Sequence, residues 1–188
     1  MIKHLLFIFL MFNFYTNVFS QGTIDTASIK KQLEAILERD QKTRTSGDSA
    51  AFMQMIDSSN LVFVEALIKN YGWPGKSFLG ARGNNTVFLV IQHAELPAQE
   101  KYLPMLIQSV ADSESRPCDL ALLQDRVLMR EGKKQIYGSQ VVPNNKGTMD
   151  FYPIEDEKNV NIRRAKMGFP SIEEYAAYFG IDYKLPKE

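Results

Sequence analysis

His93 is the side chain in this sequence that is best suited to acid–base chemistry. Imidazole titrates near neutral pH, and a positioned histidine can accept and return protons. His93 follows Gln92 in an apolar helical segment, and in an enzyme it would act as general acid or base, oriented by Asp40 or Asp125. The alternative is a histidine that is hydrogen-bonded in the core and takes no part in chemistry.

A second group of polar residues continues an apolar helix stripe. Leu33 and Leu37 begin the stripe, and the same helical spacing then reaches Asp40 or Gln41 and, after them, Arg44. A carboxylate and a guanidinium that face a core are costly unless they pair, and residues four apart can pair on one helix face. The alternative is that this helix end lies in solvent, where such pairs contribute little.

Asp125 and Arg126 form a third polar group, inside the apolar segment Leu120–Met129. They predict a buried or cleft-lining pair, although a salt bridge that ties helices together would give the same pattern. Arg44 and Arg126 have the planar donor geometry that holds a carboxylate or phosphate through two hydrogen bonds. A small anionic ligand is therefore the partner that these residues favour.

The fourth group lies in the strand candidate Gln135–Val142. Gln135 and Tyr137 fall on one face of this strand, and a bulge at Gly138 would bring Gln140 to the same side. The glutamine amides, with that of Gln92, could contact a polar ligand. The alternative is a short strand with polar edges.

These four groups together predict a polar pocket, which is the default hypothesis for a functional site. Three functions remain open. The first is a hydrolase or transferase that acts on a small anionic or polar substrate. The second is a non-catalytic module that binds a ligand or an envelope partner, with Trp73 and Tyr137 as aromatic surfaces. The third is a buried hydrogen-bond network that only fixes the packing of the helices.

Several classes of protein are disfavoured by composition and by missing motifs. The chain has 22 basic and 22 acidic residues, so nothing points to nucleic acid as a partner. No zinc motif, phosphate loop, dinucleotide turn or nucleophile elbow appears, and no metal or cofactor is predicted. Cys118 is the only cysteine, so no intramolecular disulfide can form. The sequence predicts no particular oligomeric state.

The patterning predicts a mainly α, single-domain helical bundle with one small C-terminal β-hairpin and a final short helix. A first helix is expected at Thr26–Thr45 and a second after Gly47-Asp48, and the polar run 57–60 indicates a break before a third helix at Leu61–Asn70. The second hairpin strand is expected at Thr148–Ile154. Ser171 and Glu174 form a capping box for the last helix.

The N-terminus has the pattern of a cleavable signal peptide. Lys3 precedes the apolar run Leu5–Phe12, and Val18 and Ser20 occupy the third and the first position before Gln21. The run is too short to anchor the chain as a bilayer span. We therefore expect residues 1–20 to be removed and residues 21–188 to form one exported domain, periplasmic or secreted, that does not insert in a membrane.

The chain resembles an uncharacterised bacterial domain family of unknown function. The resemblance rests on motifs in the same order along nearly the whole expected mature chain: Asp40-Gln41-Lys42-Thr43-Arg44, Gly72-Trp73-Pro74, Gln92-His93-Ala94, Asp125-Arg126-Val127, Gln135-Ile136-Tyr137-Gly138-Ser139-Gln140, Pro153-Ile154 and Arg163-Arg164. Ser139 stands where the family pattern usually has threonine, which is a mild change. The resemblance implies a shared signature made of these residues: Asp40, Gln41, Arg44, Trp73, His93, Asp125, Arg126, Gln135, Tyr137 and Gln140. It implies no particular activity.

Overall fold

The computed structural model describes residues 25–186, which form a mainly helical chain with one two-stranded hairpin near its C-terminus. The predicted fold class is therefore confirmed. The helices are α1 (Thr26–Thr45), α2 (Ala50–Tyr71), α3 (Lys76–His93), α4 (Leu96–Ala111), α5 (Pro117–Arg130), α6 (Val160–Lys166) and α7 (Ile172–Ala177), and the strands are β1 (Val141–Pro143) and β2 (Met149–Phe151). A short 3₁₀ turn, Glu157–Asn159, precedes α6. The predicted signal peptide lies outside the described residues.

The chain packs as two compact units, one up to Val90 and the other from Ile91. The boundary falls inside α3. The single domain that the sequence analysis expects over residues 21–188 stays a prediction.

In the first unit, α1 packs against α2. Asp25 caps α1 by accepting a hydrogen bond from the backbone N–H of Ser28 at 3.1 Å, which satisfies one of the N–H groups that a helix start leaves open. The buried side of α1 carries Ile29, Leu33 and Ile36. The bounds of α1 are those that the hydrophobic spacing predicts.

The expected helix break at residues 57–60 is wrong, because α2 runs without interruption from Ala50 to Tyr71. Local polar composition suggested a break, but the polar groups have partners that keep the helix intact. Asn60 is buried and accepts a hydrogen bond from the guanidinium of Arg39 at 2.6 Å. The hydroxyl of Ser58 donates to the carbonyl of Gln54 within α2 itself.

The turn between α2 and α3 contains Trp73, which is half-buried. Gly72 takes a left-handed φ of 72°, which glycine adopts without steric cost, and so ends α2. The side-chain amide of Asn84 donates to the carbonyl of Pro74 at 3.0 Å and fixes the turn. Farther on, α3 is kinked where Gly80 has φ 77° and ψ 166°.

Among the described residues, α2 is the one helix that is long and apolar enough to cross a bilayer by length and composition. The sequence analysis expects no membrane span in this part of the chain. A core helix of a globular protein passes the same test, and Phe63, Val64 and Leu67 on one side of α2 are fully buried.

The second unit begins with the end of α3 and contains α4 and α5, which pack together. Proline lies in the first turn of each of these helices, where its missing N–H costs nothing. Pro104 lies inside α4.

The hairpin is confirmed, but both of its strands are shorter than expected. Only Val141–Pro143 pairs with Met149–Phe151, in antiparallel register with Val141 opposite Phe151. Gln135 makes a separate parallel bridge to Ile154, and the residues between form a loop.

A small apolar core lies beneath the hairpin and the last two helices. It consists of Ile154, Val160 and Ile172, with Phe151 and Tyr183 packed against them. The predicted capping box of α7 is present, with both reciprocal hydrogen bonds formed. This core supports the loop that carries most of the predicted site residues of the second unit.

Candidate functional site

The side chain of Asp125 organises the loop formed by residues 135–140. Asp125 is fully buried on α5, and its carboxylate accepts backbone N–H bonds from Ile136 at 2.7 Å, Tyr137 at 3.0 Å and Ser139 at 3.0 Å. Burial raises the pKa of Asp125, and the N–H donors of Ser139, Tyr137 and Ile136 oppose that rise. The carboxylate is thus held by the loop it shapes.

Gln135 and Gln140 close the two ends of this loop on each other. The side-chain amide of Gln135 donates to the carbonyls of Gln140 at 3.0 Å and Tyr152 at 2.6 Å, and its oxygen accepts from the N–H of Gln140 at 2.8 Å. A side chain here makes the hydrogen bonds that a neighbouring strand would otherwise make. Both glutamines are buried.

The bulge expected at Gly138 is wrong, because residues 136–140 leave the strand altogether. Gly138 has φ 65°, and a Cβ atom at this position would lie 2.6 Å from Cδ1 of Ile172 and 3.0 Å from Cδ1 of Ile154. Only glycine fits both the backbone conformation and the space. Tyr137 is half-buried, with its hydroxyl 3.4 Å from Oε1 of Gln124, while the side chain of Gln140 is buried.

Arg164 binds carbonyl groups of the same loop, whereas Asp125 binds the N–H groups of the loop. The sequence pattern of Arg163-Arg164 is typical of solvated residues, but Arg164 is only 1% exposed. Its guanidinium donates to the carbonyls of Tyr137 at 2.7 Å, Gly138 at 3.2 Å and Pro170 at 2.8 Å. Burial lowers the pKa of Arg164.

Aromatic rings complete the surroundings of Arg164. The guanidinium carbon lies 4.9 Å from the ring centre of Tyr175 and 5.0 Å from that of Phe169, which is cation–π distance. The hydroxyl of Tyr175 donates to the carbonyl of Ser139 at 3.1 Å. Arg163 donates to the carbonyl of Ile136 at 2.8 Å. Sequence reasoning did not select the arginine pair as site residues, although it lies in the motifs of the resemblance.

Arg126 connects this loop to the end of α3. Its Nε donates to Oε1 of Gln140 at 3.1 Å, and its Nη1 donates to the carbonyl of Gln92 at 3.3 Å. The amide of Gln99 reaches the same carbonyl at 2.8 Å. A cation near the C-terminus of a helix is favourable because the last carbonyl groups lack helical partners. The predicted Asp125–Arg126 segment therefore contacts both the loop and the residue before His93.

His93 is the last residue of α3 and is half-buried. The next carbonyl, that of Ala94, accepts from Arg130 at 2.7 Å, so the chain is hydrogen-bonded on both sides of the imidazole. Gln92 is buried, and its Oε1 has no hydrogen-bond partner among the described residues. A buried amide oxygen without a donor is costly, and an added polar group would satisfy it.

In the first unit, Asp40 and Arg44 form the pair that their spacing predicts. Asp40 is buried, and Nη2 of Arg44 lies 3.0 Å from its Oδ1 and 2.6 Å from Oδ1 of Asp57. Of the two residues at which the stripe could continue, Asp40 is buried and Gln41 is exposed, and the amide of Gln41 donates to Asp40 at 2.9 Å. The carboxylates of Asp40 and Asp57 are of the kind that hard cations prefer, and a guanidinium lies between them.

The family comparison matches residues 25–186, the whole described part of the chain. The chain belongs to DUF6624, a family of unknown function. The resemblance to an uncharacterised family is thereby confirmed. No curated protein and no solved structure matches the chain.

Within this DUF6624 chain, the predicted site residues divide between the two units. The first unit holds Asp40, Gln41, Arg44 and Trp73, and the second holds Gln92, His93, Asp125, Arg126, Gln135, Tyr137 and Gln140. In the second unit, one hydrogen-bonded network joins Asp125, Gln135 and Gln140 to Arg126 and the backbone of Gln92. The roles predicted for these residues in binding or catalysis stay predictions.

Cys118 is half-buried at the start of α5 and is free. A helix N-terminus favours a thiolate, so the position of Cys118 directly after Pro117 would by itself lower the pKa of its thiol. Instead, burial raises the pKa of Cys118, and the neighbouring carboxylate of Asp119 adds to the rise. The thiol is therefore a weak nucleophile.

Proposed function

We propose that this DUF6624 protein is an exported acid–base enzyme, a hydrolase or transferase, that acts on a small anionic substrate at His93. The observation that carries the proposal is the placement of His93. The half-buried imidazole follows a carbonyl that Arg126 and Gln99 both bind, at the end of a network that fixes the loop 135–140. An imidazole held on a rigid frame and still reached by solvent meets the requirements of a general acid or base.

Asp125 takes a different role in this proposal from the catalytic one that its sequence suggests. Its oxygens already accept three backbone N–H bonds in the loop. Asp125 is therefore a positioning residue, and Gln135 with Gln140 joins it in shaping the loop. Arg126 supplies positive charge beside the residue before His93, which suits a carboxylate or phosphate group.

Export is the second part of the proposal, and it rests on the signal-peptide pattern of residues 1–20. A chain with no intramolecular disulfide and one free thiol suits a periplasm-like compartment.

The enzyme proposal is tested with the chain from Gln21, a panel of chromogenic phosphate, carboxylate and glycosyl esters, and two variants. His93→Gln and His93→Ala should abolish any turnover that the unmodified chain shows while leaving thermal unfolding nearly unchanged. An exposed amide-bearing control, Asn145→Ala, lies outside the predicted site and should keep both turnover and stability. Turnover that survives both His93 substitutions would overturn the catalytic role.

Non-catalytic ligand binding is the alternative function. It is favoured by the buried Oε1 of Gln92, which a ligand donor would satisfy without any reaction. This function predicts saturable binding of inorganic phosphate or a small carboxylate that His93→Gln weakens, with no turnover of any ester in the panel. A purely structural network predicts neither binding nor turnover, and both His93 variants would then lose a few kcal/mol of stability.

A further inference from the structure

One side of α2 is apolar and faces outward. Phe52 is 42% exposed, and Met55 and Val62 are each 46% exposed. At 3.6 residues per turn these positions lie along one stripe of the helix, together with the small residues Ser59 and Ala66. We call these five residues the α2 face. Although 18 consecutive residues of α2 are apolar enough for a membrane span, only 33% of that window is buried.

The polar side chains beside the α2 face already have their hydrogen bonds. The hydroxyl of Ser58 donates to the carbonyl of Gln54 at 2.8 Å, and the amide of Asn70 donates to the carbonyl of Ala66 at 2.7 Å. Burying a polar group is costly mainly when it loses water without gaining a partner. A second surface could therefore cover this side of α2 without stranding either group.

The residue pattern of this side is self-complementary in the antiparallel direction. Met55 and Val62 are equally distant from the midpoint between Ser58 and Ser59, one on each side. A two-fold axis through that midpoint would bring Met55 of one copy onto Val62 of the other, with the small side chain of Ser59 near the centre. In an isologous interface every contact occurs twice in this way.

Charge follows the same symmetry. Asp48 directly precedes Ser49, the N-cap of α2, and its carboxylate accepts a hydrogen bond from the hydroxyl of Ser46, while Lys69 lies in the last turn of α2. They too are equally distant from the midpoint, so the antiparallel arrangement would place Asp48 of each copy beside Lys69 of the other. Opposite charges at both ends of an apolar stripe specify direction and register.

We propose that the α2 face is the interface of a homodimer in which two copies of α2 pack antiparallel about a two-fold axis. A single helix pair covers less than the roughly 1,600 Å² that specific stable interfaces bury, so the dimer is weak and dissociates on dilution. The interface does not depend on the proposed chemistry at His93.

Sedimentation equilibrium of the chain from Gln21 over a wide concentration series tests the proposal. We expect a reversible monomer–dimer equilibrium. Met55→Glu should shift it at least tenfold toward monomer, because it buries an unpaired charge at the two-fold contact. Ile107→Glu is the matched control, since Ile107 is 44% exposed on α4 and should leave the equilibrium unchanged.

A charge exchange tests the register. Asp48→Lys and Lys69→Asp should each weaken the dimer, and the double variant should restore it. Thermal unfolding of every variant separates lost association from lost folding. A chain that stays monomeric throughout the series, a dimer that survives Met55→Glu in a folded variant, or a double variant that remains dissociated would overturn the proposal. Flotation with phosphatidylethanolamine–phosphatidylglycerol vesicles that Met55→Glu abolishes, without self-association, would assign this side to lipid and overturn it as well.

Discussion

At the scale of single residues, Asp125 shows how a buried charge can specify a loop. A carboxylate that leaves water loses solvation, and it is tolerated where donors surround it. Asp125 meets backbone N–H groups of Ile136, Tyr137 and Ser139, none of which pairs in a strand. The acid and the loop therefore depend on each other, and neither is satisfied alone.

Asp125→Asn should destabilise the protein by about 2 to 4 kcal/mol. The asparagine oxygen can still accept, but its NH₂ group would point at backbone donors and leave them without an acceptor. Urea unfolding measures the loss. Asp150→Asn, on the exposed middle residue of β2, is the control and should change stability by less than about 0.5 kcal/mol. Equal stability of the two variants would contradict the role given to Asp125.

Tyr183 gives a residue-scale prediction about pH. Burial raises the pKa of Tyr183 to about 12 from an ordinary value near 10, and its hydroxyl has no hydrogen-bond partner among the described residues. Between these two pH values the unfolded chain loses this proton while the folded chain keeps it. The tyrosine therefore makes the folded state lose stability as pH rises from 10 to about 12.

Tyr183→Phe should remove part of this alkaline loss. At pH 8 the variant should be as stable as the unmodified chain or slightly more stable, because phenylalanine keeps the edge-on contact with Phe151 and has no hydroxyl to bury. Urea unfolding at intervals from pH 8 to 11.5 measures both effects. Tyr178→Phe is the control, since Tyr178 is 80% exposed. An identical pH dependence in the two variants would show that Tyr183 does not contribute.

At the scale of elements, the loop of residues 135–140 is fixed by three different sources. The carboxylate of α5 binds its N–H groups, the arginines of α6 bind its carbonyls, and Ile172 of α7 fills the space beside Gly138. No regular ladder of backbone hydrogen bonds is present over residues 136–140. The conformation of this loop thus depends on side chains that lie far from it in sequence.

Gly138→Ala should cost about 2 to 4 kcal/mol, combining a left-handed φ with overpacking against Ile172. Gly147→Ala is a matched control, since Gly147 also has positive φ, at 76°, but nothing lies within 4 Å of the added Cβ. It should cost only about 1 kcal/mol, the part due to backbone conformation. Chemical denaturation of both variants separates the two contributions. Similar losses in the two would mean that the contact with Ile172 is unimportant.

The sequence predicted those elements whose signals are local. Hydrophobic spacing fixes both ends of α1, and the Ser171–Glu174 capping box marks the start of α7. Prediction from the sequence failed where a side chain that is distant along the chain determines the local structure. The polar run 57–60 continues α2 because Arg39 of another helix reaches Asn60.

The candidate site follows the same rule. Asp40 and Arg44 pair as their spacing requires, because both ends of the contact lie on one helix. The loop was taken for a strand, since alternation of residue types cannot reveal that the amide of Gln135 replaces a strand partner. The burial of Arg164 could not be predicted either, because the carbonyls and rings that surround its charge come from three separate segments.

At the scale of the whole molecule, the first prediction concerns export. Protein recovered from the periplasm or medium of an expressing bacterium should begin at Gln21, because Val18 and Ser20 are the small or branched residues that a signal peptidase accepts. N-terminal sequencing or intact mass identifies the first residue. Ser20→Arg should leave the precursor uncleaved, while Ser28→Arg, beyond the expected cut, should not. Mature protein that retains residues 1–20 would contradict the proposed signal.

The family spans both compact units, since its match covers residues 25–186. Within the second unit, the side chains of Asp125, Arg126 and Arg164 all bind the loop formed by residues 135–140. They form a hydrogen-bonded frame, and His93 lies half-buried beside the carbonyl that Arg126 binds.

The most direct test is an NMR titration of the His93 ring in the chain from Gln21, where it is the only histidine. Inorganic phosphate should shift the ring resonances saturably at constant pH, because an anion bound beside the imidazole changes its electrostatic surroundings. Arg126→Gln should weaken this response, and His93→Gln should keep the melting temperature of the unmodified chain. A ring that responds neither to phosphate nor to small carboxylates, together with a His93→Gln variant that loses several degrees of stability, would show that His93 is a structural residue and would contradict the account.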